Sequence, residues 1–153
     1  MSSKGLAAFP AESDVPVSLW VSLLKAHGLL IRRVRGRFPE GLTMPQFDVL
    51  AQLARHGTGM TPGELTRELL VTKGNVTGIV ERLVRRGLVE RLRVPSDGRT
   101  RRLVLTPEGR RLTSRAIPEH RREIASHMAQ VPPGELHSLR DLLRRFVVSL
   151  EEE

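Results

Sequence analysis

The residues of this sequence whose types suggest chemistry are cationic side chains gathered in one segment. Between Val71 and Arg111 there are eleven basic and four acidic residues, so this segment carries an excess of seven in a chain of formal net charge +8. Arginine supplies 22 of the chain's 25 basic residues. Its planar guanidinium can form two parallel hydrogen bonds to a phosphate or a guanine edge. A local excess of this kind predicts a binding surface for a polyanion.

An acidic residue with an arginine two positions later forms the most specific arrangement in this segment. Asp97 can orient the Arg99 guanidinium through a charge-assisted contact. An arginine held in this way can enter a narrow minor groove of duplex DNA. An isolated Asp-x-Arg usually does no more than close a turn, but its position between two predicted strands favours the DNA interpretation.

Hydrophobic spacing and cap residues predict the helices that hold these side chains. Apolar residues at helical spacing predict a long first helix at 17–38, after a mobile arm at 1–16. A second and a third helix begin at Thr43 and Thr61, each an N-cap residue with Gln or Glu three positions later. A fourth helix begins at Thr72 after a short gap, so the third and fourth helices form a helix–turn–helix.

A change of period after the fourth helix predicts a β-hairpin. Residues 88–94 and 101–106 have the pattern of strands, and the turn cluster 95–98 separates them. A hairpin directly after a helix–turn–helix makes the motif winged. The predicted fold class is therefore mainly α with a small β-wing, an α+β fold.

Two further helices are predicted after the hairpin. The first begins at Thr106 and extends to about residue 130, and Pro118 is expected to kink or split it. The Pro- and Gly-rich stretch 132–135 breaks the chain, and a last amphipathic helix follows to about Leu150.

Several classes of protein are excluded or disfavoured by the composition. The chain has no cysteine, which excludes disulfides, zinc-finger ligands and thiol sensing. No phosphate loop or nucleophile elbow is present, so an enzyme is not expected. No run approaches the roughly 18 apolar residues of a membrane span, and the N-terminus does not have the pattern of a secretory signal. The five histidines are scattered, and no metal site or other cofactor is predicted.

The central region resembles the MarR family of bacterial transcription regulators. The residues that carry the resemblance are LTMPQFDVLAQLARHG, GLVERL and the wing sequence from Asp97 to Gly109, in which Asp-x-Arg leads into Leu-Thr-x-x-Gly. The resemblance implies a cytoplasmic homodimer in which a winged helix–turn–helix domain at 42–106 reads one half of a near-palindromic operator. It also implies that helices at 17–38 and 107–150 interleave to form the dimer base.

The same resemblance implies which residues meet DNA. The fourth helix is expected in the major groove, where Asn75 can pair with an adenine edge and Lys73 can reach a guanine or a phosphate. Gly74 and Gly78 each cost about 1 kcal/mol in a helix, which is explained either by close approach to DNA or by packing on the preceding helix. Arg101 and Arg102 alternate across a strand, so only one of them is expected to face DNA. The predicted contacts are Thr61, Thr72, Lys73, Gly74, Asn75, Thr77, Arg82, Asp97, Arg99 and Arg101.

The resemblance further implies a dimer interface and, in many relatives, a ligand. Such proteins mostly repress genes, and many release DNA when a small, often anionic aromatic, effector binds. Trp20 is assigned to the dimer core rather than to a ligand site, and Asp48 faces either the effector cleft or solvent. The predicted dimerisation residues are Leu19, Trp20, Leu23, Leu139, Leu143, Phe146 and Leu150.

Two alternatives to an effector-released repressor remain open. One is a regulator of the same family that binds DNA without any effector. The other is a winged-helix module that dimerises and uses its basic face on a protein or RNA. Asp97 and Arg99 in the wing favour duplex DNA over the second alternative.

Overall fold

The computed structural model describes residues 14–34, 38–69, 73–94 and 97–152, with the side chains of Lys73, Val94 and residues 97–100 left out. Contacts divide the chain into two units, residues 1–35 and 36–153. Residues 1–13 of the predicted arm at 1–16 and the N-cap Thr72 lie outside the described residues.

The first unit contains one helix, α1, which spans Val15–Val34. It begins inside the predicted arm. Residues 35–37 of the predicted helix lie outside the described residues, and Phe38, its predicted end, is not helical. Its length and its mean hydropathy of 1.2 over an 18-residue window are sufficient for a membrane-spanning helix. The expectation that no stretch approaches this composition is therefore wrong, although length and composition alone are weak evidence for a span.

The second unit is the predicted winged helix–turn–helix with two helices after it. A single 3-10 turn at Pro39–Gly41 precedes the first of its helices. The other elements are α2 at Met44–Arg55, α3 at Pro62–Leu69, α4 at Lys73–Arg85, β1 at Val89–Val94, β2 at Asp97–Leu105, α5 at Pro107–Met128 and α6 at Pro133–Glu151. The predicted fold class, mainly helical with a two-stranded wing, is confirmed.

Side-chain caps start α2, α3 and α5 where the sequence predicts them. The Thr43 hydroxyl accepts a hydrogen bond from the Gln46 N–H, and the Gln46 amide oxygen accepts one from the Thr43 N–H at 3.0 Å. Thr61 and Glu64 make the same reciprocal pair, and Thr106 caps α5 through the Gly109 N–H. Each pair satisfies N–H groups that a helix leaves without a partner at its start.

The core of this unit joins α2, α3, α4, the hairpin and the start of α5. Its apolar side chains come from the inward face of each element, so that the helix–turn–helix and the wing are held on one hydrophobic centre. Its largest fully buried members are Val49, Leu50, Leu65, Val76, Leu83, Val89, Leu103 and Leu112.

Three predicted boundaries differ from the structure. Helix α5 continues through Pro118 to Met128, so the expected split is wrong. Pro118 removes one helix hydrogen bond, but Ser114, whose carbonyl oxygen loses that partner, is exposed to water. The predicted break between the last two helices is present but lies at 129–132, because residues 133–135 already form the first turn of α6. Strand β2 begins at Asp97, so Asp97 and Gly98 of the predicted turn cluster 95–98 belong to the strand.

Candidate nucleic-acid interface

Helix α4 has one buried face and one outward face. Val76, Val80 and Leu83 are buried in the core, and their spacing places the remaining residues on the opposite side. The predicted contact residues on that side are exposed: Gly74, Asn75, Thr77 and Arg82, together with Arg85. The described part of the predicted recognition helix therefore presents its candidate residues to solvent.

The two glycines of α4 have open surroundings. A Cβ atom built at Gly74 or at Gly78 would meet no described atom within 4 Å. Packing on the preceding helix, one of the two explanations for these glycines, thus finds no contact in the part of the chain that the structure describes.

Arg86, at the end of α4, serves the fold instead of the outward face. Its Nη2 donates a hydrogen bond to the main-chain oxygen of Glu40 at 2.8 Å. Glu40 has a φ of 56°, which an L residue rarely adopts, and its carboxylate lies 3.7 Å from the Arg115 guanidinium. The turn before α2 is in this way connected to the C-terminal end of α4 and to α5.

The hairpin gathers arginines on its exposed strands. Antiparallel pairing places Arg93 directly opposite Arg101, and both side chains are exposed, as is that of Arg91. Like charges at opposite strand positions destabilise a sheet, and a bound polyanion removes that repulsion. The backbone of Asp97 and Arg99 belongs to β2, but their side chains lie outside the described residues, as does that of Lys73.

Arg102 turns inward, in contrast to its neighbour Arg101. Its Nε donates to the Thr58 main-chain oxygen at 3.3 Å, and its Nη2 donates to the Gly59 oxygen. The same Nη2 lies 3.6 Å from the Glu64 carboxylate. Of the two arginines Arg101 is exposed and Arg102 is half-buried, which agrees with alternation along the strand. No local signal points to the bonds of Arg102, because their partners lie more than 40 positions away in the chain.

The segment before α3 is fixed to the same strand. Met60 and Leu103 exchange main-chain hydrogen bonds of 3.0 and 2.7 Å. Gly59 has a φ of 83°, and a Cβ there would lie 2.7 Å from the Leu103 oxygen and 2.6 Å from a Val104 methyl carbon. We call residues 58–64 together with 102–104 the wing junction.

Thr61 lies in this junction and not on an open surface. It is half-buried, and its N–H and hydroxyl are both bonded to Glu64 at 2.7 and 3.2 Å. The hydrogen bond from the Thr61 N–H is the main reason that the pKa of Glu64 lies below its usual range, and Arg102 lowers it further. The structure therefore assigns Thr61 a capping role, and its predicted contact with DNA is not tested.

Comparison with known proteins decides the family. The sequence profile of the MarR family matches residues 40–100. An uncharacterized protein of Mycobacterium bovis is 33% identical over 145 residues, which cover 92% of this chain and 98% of that protein. The fold is similar to a MarR family regulator from Streptomyces coelicolor solved in complex with DNA, with a TM-score of 0.79, 25% identity and coverage of 86% of this chain and 85% of that one. The chain belongs to the MarR family.

Membership of the MarR family makes this chain a DNA-binding transcription regulator and not an enzyme. A further similar structure is that of BpsR from Bordetella bronchiseptica, whose DNA binding is regulated by 6-hydroxynicotinic acid. It is 26% identical, has a TM-score of 0.75, and the match covers 84% of this chain and 98% of that one.

This MarR-family chain also has a cleft between α2 and α5, with a volume of about 430 Å³. Its lining combines an apolar floor with cationic and amide side chains: Phe47, Ala51, Gln52, Ala54, Arg55, Ile117, His120 and Arg121. The Gln52 amide oxygen is buried and has no hydrogen-bond partner among the described residues. Such an oxygen is costly to leave unpaired.

Phe47 and His120, which line the cleft, lie close to a further aromatic ring and to one carboxylate. The ring of His120 lies 4.8 Å from that of Phe47 and 5.4 Å from that of Phe38. Asp48 is half-buried, and this burial raises its pKa, although the nearby His120 partly opposes the shift. Solvent exposure alone, one of the two expectations for Asp48, does not describe this position.

The predicted dimerisation residues are largely exposed in the single chain. On α1, Leu19 and Trp20 are 53% and 61% exposed, and Leu23 is half-buried. On α6, the side chains of Leu139, Phe146 and Leu150 are about half exposed. A groove of about 710 Å³ runs along α6 and is lined by apolar residues that include Leu143.

Proposed function

We propose that this regulator binds a near-palindromic operator as a homodimer, with α4 in the major groove and the β1–β2 hairpin in the minor groove. The observation that carries the proposal is the outward face of α4 beside a hairpin with exposed arginines. That face carries small residues near the start of the helix, at Gly74 and Gly78, and basic residues near its end, at Arg82 and Arg85. A groove-binding helix needs this order, because its N-terminal residues contact the base edges.

The glycines of α4 allow a close approach of the helix to DNA. Gly74 and Gly78 lie one turn apart on the outward face and have open space in front of them. We therefore assign Asn75 to an adenine edge and Arg82 to a base or phosphate further along the groove. Thr72, Lys73 and Thr77 belong to the same proposed surface.

The hairpin contributes the minor-groove contact. We assign this role to Arg99, oriented by Asp97, because β2 carries it towards the tip of a hairpin on which Arg93 and Arg101 are exposed. A narrow minor groove concentrates the negative potential that an arginine requires. Arg101 then binds the adjacent phosphates.

A second copy of the chain covers α1 and α6. Exposed leucine, phenylalanine and tryptophan side chains on both helices are unfavourable in water, at about 25 cal/mol per Å² of apolar surface. An isologous dimer buries such surfaces on both copies at once, which also accounts for the high hydropathy of α1. We expect the dimer in the cytoplasm, as for a family of soluble transcription regulators.

Dimerisation is tested by the mass in solution. Leu139→Glu places a charge in the proposed interface and is expected to give monomers by light scattering. Ser138→Glu, at the neighbouring exposed position, is expected to leave the dimer intact. A wild-type chain that is monomeric at micromolar concentration contradicts this part of the proposal.

The cleft between α2 and α5 is our candidate effector site, and we propose that its occupant releases a repressor from DNA. An aromatic ring fits against Phe47 and Ile117, and a carboxylate on that ring can pair with Arg55 and Arg121 at the rim. A hydroxyl or ring N–H of the ligand can donate to the unpaired oxygen of Gln52. The chemical class is a hydroxylated aromatic acid, consistent with 6-hydroxynicotinic acid as the regulator of the similar BpsR.

Binding to the DNA that flanks the protein's own gene tests the function. We expect two protected half-sites about one helical turn apart and an affinity that falls steeply with salt. Addition of 6-hydroxynicotinic acid or 4-hydroxybenzoate is expected to weaken binding by wild type, and Gln52→Leu is expected to reduce that response. Operator binding that no aromatic acid affects supports an effector-independent regulator. Equal affinity for operator and random duplex supports an interaction module with another partner.

A further inference from the structure

Arg102 joins two segments of the DNA-binding domain that are distant in sequence, the hairpin and residues 58–64. It extends from β2, where it pairs with Leu92 across the hairpin, to the main-chain oxygens of Thr58 and Gly59. Its guanidinium also lies 3.6 Å from the carboxylate of Glu64, in the first turn of α3. One side chain thus connects the hairpin with the segment that starts the helix–turn–helix.

The contacts of Arg102 fix the orientation of its side chain, which is half-buried. Two of its nitrogen atoms donate to main-chain oxygens, and one of them also faces a carboxylate. Glu64 is itself held by the Thr61 N–H at 2.7 Å. Planar guanidinium geometry suits such a multiple contact, whereas the single ammonium of lysine does not.

We propose that Arg102 is a positioning residue for DNA recognition, which sets the angle of the hairpin relative to α3 and α4 so that wing and recognition helix reach adjacent grooves together. The inference rests on the proposed function. A displacement of about 1 Å is enough to lose a well-placed contact. Loss of the Arg102 contacts should therefore remove the contribution of Arg99 at the wing tip, although Arg99 itself is unchanged.

A double-mutant cycle tests this coupling. Operator affinity is measured for wild type, Arg99→Ala, Arg102→Gln and the double variant, with Arg101→Gln as the matched control that removes the same charge from the adjacent exposed position. We expect Arg99→Ala to weaken wild-type binding about 10- to 100-fold but to have less than a threefold effect in the Arg102→Gln background. In the Arg101→Gln background it should keep its full effect.

Footprinting supplies a second readout. Arg102→Gln should lose hydroxyl-radical protection at the minor-groove flanks and keep protection of the major-groove half-site centres.

The inference is overturned if Arg102 only stabilises the fold. In that case the fraction of active protein falls, but Arg99→Ala keeps its full effect and the flanks stay protected. If Arg102→Gln does not fold, Arg102→Lys, which keeps the charge and one contact, is expected to show the same loss of coupling to a smaller degree, and full additivity there overturns it. Failure of wild type to prefer the operator counts against the proposed function instead.

Discussion

The outward face of α4 and the wing junction contain the same residue types in opposite surroundings. On α4, Gly74 and Gly78 have open space where a Cβ would be, and Arg82 and Arg85 are exposed. In the junction, Gly59 is enclosed by Leu103 and Val104, and Arg102 is bonded to main-chain oxygens.

The difference shows that residue type alone does not separate a binding surface from its support. A glycine with space around it allows an external molecule to approach, whereas an enclosed glycine allows two segments of the same chain to approach. The same distinction holds for the arginines. Substitutions on α4 should accordingly change DNA affinity, and substitutions in the wing junction should change the stability of the fold.

The largest expected effect is on stability, from Gly59→Ala. Its φ of 83° is unfavourable for alanine, and the new methyl group would clash with the Leu103 oxygen. The two effects together should lower the free energy of unfolding by about 3 kcal/mol in urea titrations. Gly57→Ala, two residues earlier with no described atom near its Cβ, is the control and should be close to neutral. Equal stability of the two variants would show that the close approach at Gly59 does not require a glycine.

The next prediction is that Gly78→Ala raises the stability of the fold and lowers the affinity for the operator. In the interior of α4, alanine is favoured over glycine by about 1 kcal/mol, so the free energy of unfolding should rise. The added methyl group should hold the helix away from the groove and weaken operator binding about tenfold, the equivalent of one base contact. Gly74→Ala, nearer the helix start, should stabilise less and weaken binding similarly.

The two glycine variants of α4 are checked by urea unfolding and by binding at constant salt. A rise in stability with unchanged operator affinity would show that α4 does not need small residues for its approach to DNA. A loss of stability would indicate that the glycines are required for packing within the chain.

Local signals in the sequence predicted most of the fold and the exposed face of α4. Thr43, Thr61 and Thr106 are caps whose partners lie three residues away, so a short window of sequence contains the whole interaction. The buried positions of α4 follow from helical spacing in the same way. These features were predicted because cause and effect are close together in the chain.

The features that were missed depend on distant partners. The bonds of Arg102 to residues 58 and 59 depend on the pairing of the segment before α3 with β2. The first helix was predicted to extend to Phe38 because this residue is apolar, but its ring stacks on Phe47 and lies tilted against that of His120. The helix-breaking tendency of Pro118 did not prevail, because Leu112 and Ala116 on the same helix are buried in the core.

The smallest expected effect concerns the pH dependence of the wing junction. The pKa of Glu64 is lowered in the folded state, chiefly by the Thr61 N–H and also by Arg102. A lowered pKa contributes stability that is present above the unfolded value and is lost as the pH falls through the folded value. Glu64→Gln should therefore lose less stability than wild type on acidification below about pH 5. Urea unfolding at a series of pH values measures this loss. Glu68→Gln, on the exposed side of the same helix, should follow wild type. If both variants follow wild type, the ionised carboxylate of Glu64 contributes nothing to the junction, and Arg102 holds the hairpin through the main-chain oxygens alone.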